Sequence, residues 1–182
     1  MRPLNVGFSI PWDTNDAWSE SYVGVWRLIH EILPSSINEQ TLEDGALCQL
    51  GLIGAQHLLE VALGSLLEPF VTERGVLTPK IFKDEGYFNL LSHHTKRVTG
   101  KAIDLNAEPF CSTEDLRQRR NGTAHKSSDI VTVNMARSAL FTAVAGTRAL
   151  YAHFEKEFPY EQLLRRYPLE DEPPFSTFTA SP

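Results

Sequence analysis

From Thr41 to Glu68 the chain reads "TLEDGALCQLGLIGAQHLLEVALGSLLE", and no other stretch limits the possible folds so strongly. Apolar side chains recur through it at helical spacing, which predicts one long helix. Thr41 stands where an N-cap would, with Glu43 and Asp44 in the first turn. Glycines at positions 45, 51, 54 and 64 weaken helix propensity and permit close helix approach, and Pro69 is expected to kink or end the element. His57, Glu60 and Glu68 interrupt the apolar run, so a membrane span is not expected.

Other helices follow by the same reasoning. Between Asp16 and Leu33, Trp18, Tyr22, Val25, Trp26, Ile29 and Leu33 fall at spacings of three and four, and Pro34 stops the pattern. The segment Thr78 to Gly100 carries a Thr-Pro start, apolar Ile81, Phe82, Tyr87, Phe88, Leu90 and Leu91, and a basic last turn before glycine. "KAIDLNAEPFC" lacks periodicity and reads as a loop, after which Ser112 or Thr113 caps "EDLRQRRNGTAH". The last long helix is placed from about Ile130 to Phe158. No segment alternates with period two, so the fold expected is all-α, an up-and-down bundle of four to five helices. It would occupy residues 16–158, after an N-terminal extension (1–15) and before an acidic, Pro/Ser/Thr-rich tail (159–182) expected to be poorly ordered.

Composition narrows the function classes. The chain has 182 residues, 42% hydrophobic and 22% charged, as an ordinary globular domain has. The start "MRPLNVGFSIPW" lacks the pattern of a secretory signal, and two distant cysteines, Cys48 and Cys111, suit free thiols, so a cytoplasmic location is expected. The net charge of −6 argues against broad coating of nucleic acid. Residues 1–80 hold 4 basic and 10 acidic side chains, 81–126 hold 8 and 6, and 127–182 hold 5 and 7. The one net-positive segment ends in "RRNGTAHK", residues 119–126.

The residue types in that stretch suit RNA cleavage. His125 can give or take a proton near neutrality. Arg120 is permanently charged and grips phosphate through a planar fork, with Arg117, Arg119 and Lys126 as basic neighbours that attract the backbone. Asn121 lies four residues before His125, where it could orient the imidazole or touch substrate. The ribose 2′-OH supplies the nucleophile, so neither metal nor cofactor is called for. On a straight helix, however, Arg120 and His125 stand about 140° apart. Either the helix loosens at Gly122, or a second copy completes the site across a two-fold axis.

"RNGTAH", Arg120 to His125, resembles the arginine, polar residue, three variable residues, histidine signature of HEPN domains. "GAQHLLEVALGSLL" (residues 54–67) is similar to that family's second helix with its embedded acidic residue, here Glu60. The likeness spans roughly residues 16–158 in architecture and is specific over the six-residue motif. It implies a metal-independent RNase, usually a homodimer, of toxin–antitoxin, antiviral defence or RNA-processing settings, with an antitoxin or regulatory protein as a further partner. It also implies that the arginine and histidine drive attack of the 2′-OH on phosphorus, leaving a 2′,3′-cyclic phosphate. Some members carry a tyrosine two residues after the histidine as a modification site; Ser127 stands there in this chain, so that regulation is not expected.

Plainer readings stand beside these. Arg148 and His153 share the bare spacing but lie inside a strong helix with no polar companion or loosening glycine. Glu60 fits a solvated helix edge as well as a supporting role. His93 and His94 point apart, and no ligand spacing for a metal is present. Trp18 and Trp26 have core spacing, and "TKRVTGK" (95–101) suits a helix C-terminus. The alternative function is a catalytically silent dimeric module that binds RNA, a nucleotide or a protein.

Overall fold

The computed structural model describes residues 16–125 and 130–178, and every element within them is helical. No strand occurs among the described residues, so the protein is all-α.

α1 (Ala17–Arg27) starts at Asp16, whose carboxylate accepts from the Ser19 amide at 2.7 Å, and runs on through a π-helical turn to Ile32. Its periodic residues become one buried stripe: Trp18, Tyr22, Val25, Ile29 and Leu33. α2 (Leu42–Thr72) opens with the capping box its sequence announces. The Asp44 amide donates to Thr41 Oγ1 at 3.3 Å, and the Thr41 amide donates back to Asp44 Oδ2 at 2.8 Å. The helix continues three residues past Pro69, further than the proline led us to expect.

α2 lies at the centre. It has the length and apolarity to cross a bilayer, yet here α1, α6 (Phe110–His125) and α7 (Val133–His153) cover much of its apolar surface, while Leu42 and Leu50 stay exposed. Gly51 lies against Ala136, Leu59 against Gly146, and Phe70 against Phe154, so α2 and α7 run side by side in one direction. Gly54 faces Val25 and Gly51 faces Ile29, so α1 runs the opposite way. Gly54 and Gly146 make these approaches possible: a Cβ at Gly54 would stand 2.4 Å from Val25 Cγ2, and one at Gly146 would stand 2.6 Å from Thr113 Cγ2. Gly45 and Gly64 have no such neighbour.

Three expectations are corrected. The segment Thr78–Gly100 is not one helix. α3 (Ile81–Asp84) is separated by extended Glu85 and Gly86 from α4 (Tyr87–Asn89), which passes through a π-helical turn into α5 (Thr95–Thr99) and ends at left-handed Gly100. α6 begins at Phe110, so Ser112 and Thr113 are fully buried first-turn residues rather than caps. Their hydroxyls donate to Glu108 Oε1 at 2.8 Å and to the Phe110 carbonyl at 2.9 Å. α7 is shorter than expected at both ends, capped by Thr132 and followed by Glu155 in the left-handed region.

The C-terminal segment is also not a loose tail. α8 (Glu161–Arg166) and the turn Phe175–Phe178 pack on the core. Tyr160 stacks on Trp18 at 4.0 Å and donates to Asp16 at 2.9 Å, Tyr22 donates to the Tyr167 carbonyl at 2.6 Å, and Phe175 is fully buried. The average composition of this stretch is that of disordered chain; a few apolar anchors, Tyr160, Leu163, Leu164 and Phe175, hold it in place.

Candidate functional site

α6 turns Ser112, Thr113 and Leu116 into the core. Arg120 follows Leu116 by one turn on the same face, and so meets α2. Its Nη2 lies 3.4 Å from Glu60 Oε1, and its Nη1 donates to Asn121 Oδ1 at 3.0 Å. Gln56, one turn before Glu60, donates from Nε2 to the same Glu60 oxygen at 3.4 Å. Gln56 is wholly buried, and its Oε1 meets no hydrogen-bond donor among the described residues. The side chains of Arg120 and Glu60 remain 34% and 33% exposed, so an outside anion can reach the guanidinium.

The helix is α-helical across Gly122 as far as His125. The loosening at Gly122 is therefore not seen, and the wide angle between positions 120 and 125 persists. The His125 side chain and all of Lys126 lie outside the described residues. Asn121 engages Arg120 and so steadies the guanidinium.

The other basic candidates are held differently. Arg117 makes a forked pair with Glu114, at 2.8 Å from Nε and 2.6 Å from Nη2, and lies over the Phe88 ring. Burial raises the Glu114 pKa, but the bonds from Arg117 and Gln118 outweigh it and hold the carboxyl below the usual glutamate range. Arg119 reaches from Nη2 to the Ile130 carbonyl at 3.2 Å, bridging the two ends of the segment between α6 and α7. The glutamate partner of Arg120 sits farther away than that of Arg117, at 3.4 Å against 2.6 Å.

Arg148 and His153 face different partners. Arg148 pairs with Glu161 at 2.9 Å, and the His153 ring meets Thr99 Oγ1 at 3.2 Å. Trp18 is core, and His94 pairs with Glu85 at 3.4 Å. Among the described residues no three His, Cys, Asp or Glu side chains gather as around a metal ion.

Two members of the cluster escaped sequence reasoning. Gln56 had a signal, being polar one helical turn before Glu60 inside an apolar run. Tyr87 had none, since only the break at Glu85–Gly86 brings it beside Glu60, Glu114 and Arg117. Burial, and after it the Glu60 carboxylate, push the Tyr87 phenol well up, so it stays protonated.

The chain matches no protein-family model, no curated protein and no solved structure. What the fold and site define is thus a class: an all-α protein with a partly exposed arginine set between a glutamate and an asparagine at the junction of α2 and α6.

Proposed function

We propose that this protein is a HEPN-type helical bundle that cleaves single-stranded or loop RNA without a metal. The observation that carries the reading is the meeting of Arg120 with Glu60 and Asn121 on the helix that holds His125 five residues on. A phosphodiester is a forked acceptor that suits a guanidinium better than one glutamate oxygen at 3.4 Å does. In the reaction the 2′-OH attacks phosphorus and the bond to the 5′-oxygen breaks. One base takes the 2′-proton and one acid protonates the leaving oxygen, giving a 2′,3′-cyclic phosphate and a 5′-hydroxyl. Arg120 holds the phosphate and offsets the charge that builds on it, and His125 serves as acid or base. In this reading the protein acts as a homodimer whose two motifs meet at the axis, an arrangement that the regular helix through Gly122 supports. Flexible RNA is the substrate, since in-line attack needs a ribose free of A-form constraint.

A second reading, a silent dimeric module that binds RNA, a nucleotide or a protein, is favoured by one observation: Arg117 and Arg120 both already face glutamates. Incubating wild type and His125→Ala with mixed single-stranded RNA in excess EDTA separates the two. Cyclic-phosphate ends from wild type alone establish the nuclease; intact RNA in both samples rejects it.

A further inference from the structure

Beside Glu60 lies a hollow of about 310 Å³. Glu60 and Gly64 of α2 form one wall, and Phe82, Glu85, Gly86 and Tyr87 form the other. Its size suits a single nucleobase or nucleoside. Because Glu60 also touches Arg120, a nucleotide whose phosphate sits on Arg120 has its base within reach of this space.

The chemistry of the walls selects the occupant. The hollow's two carboxylates offer acceptors, Glu85 with Oε1 3.4 Å from His94 Nε2 and Glu60 with Oε1 facing Arg120 and Gln56, which leaves the second oxygen of each for a donor-edged group. Phe82 is 40% exposed, a flat apolar surface on which a base can stack. Gly64 keeps the hollow open. A glycine inside a helix weakens it, and this one is not required by packing, since a Cβ there would meet nothing within 4 Å. The space it leaves open is the hollow.

We propose that this hollow is a nucleobase subsite for an unpaired guanine, placed beside the phosphate position at Arg120. Guanine alone among the four bases presents a ring N–H and an exocyclic amino group side by side, two parallel donors that one carboxylate accepts through both of its oxygens. Adenine and cytosine set a lone-pair nitrogen next to their amino group, and uracil flanks its one N–H with carbonyls, so each turns an acceptor toward a carboxylate. The inference rests on the reading that this face handles RNA, and it adds the base that face prefers.

The test uses the full chain and short single-stranded oligonucleotides of uridine with one central guanosine, inosine or adenosine, fully 2′-O-methylated so that they cannot be cleaved. Fluorescence anisotropy is expected to show guanosine bound about tenfold more tightly than inosine, which lacks the amino group. Gly64→Leu, which fills the hollow with a good helix former and should raise the melting temperature, and Glu85→Gln should both erase that preference while each variant still melts in one cooperative transition. Equal affinity for the three oligonucleotides, or no binding of any, overturns the subsite. Unmodified oligonucleotides run in parallel judge the nuclease separately: cleavage with no base preference keeps the nuclease and rejects the subsite, whereas guanosine-selective binding without cleavage does the reverse.

Discussion

Arg120 reaches across from α6 to Glu60 on α2, with Nη2 and Oε1 3.4 Å apart and both side chains about one third exposed. A pair so long and so wet contributes little to folding, on the order of 0–1 kcal/mol. Arg120→Ala should therefore leave the urea midpoint nearly unchanged while abolishing RNA cleavage. A large loss of stability in that variant would recast Arg120 as a structural residue.

Arg117 should behave in the opposite sense. Its fork is filled by Glu114 and its face lies on Phe88, so Arg117→Ala removes packing and leaves Glu114 without its main partner. RNA affinity is expected to change less than with Arg120→Ala, and thermal stability more. Parallel melting and binding curves for the two variants decide it.

The same pair sets a pH dependence. The Glu114 carboxyl titrates below its unfolded value, so its contribution is fully present above the ordinary glutamate pKa and is lost as pH falls through the folded one. Glu108 adds to the effect: burial raises its pKa, but bonds from Cys111, Ser112 and Ser176 together bring it below the usual range. The stability gap between wild type and Glu114→Gln should be wide at neutral pH and shrink in acid. A gap constant with pH would mean the carboxyl is not held by Arg117 in solution.

Glycines in the two long helices should split by sign. Gly146→Ala drives a Cβ to 2.6 Å from Thr113 Cγ2 and 2.8 Å from Leu59 Cδ2, at an expected cost of about 1–3 kcal/mol. Gly64→Ala meets nothing and should stabilise by roughly 0.5–1 kcal/mol through helix propensity. Denaturant unfolding of both variants checks the assignment of close approach.

The C-terminal segment should prove part of the fold. Phe175 is fully buried and its amide donates to Thr142 Oγ1 at 3.0 Å. Phe175→Ala is expected to cost about 3–5 kcal/mol, as loss of a core aromatic does. If removing residues 173–182 leaves the melting temperature in place, the docking described here is wrong.

The amino-acid sequence by itself determined the all-α class, the start of α2, the core stripe of α1 and the position of the Arg-Asn-x-x-x-His pattern late in α6. These follow from short-range rules: a cap, a period, a spacing of a few residues. Tertiary structure alone decided that Pro69 does not end α2, that residues 159–178 fold back on the core, and that Tyr87 joins Glu60 and Arg117 across a break in what looked like one helix. The physical reason is common to all three. Each depends on which surface a residue meets after the chain has returned from far away, as Phe175 meets Thr142 and Tyr160 meets Trp18, and local propensity carries no record of that partner.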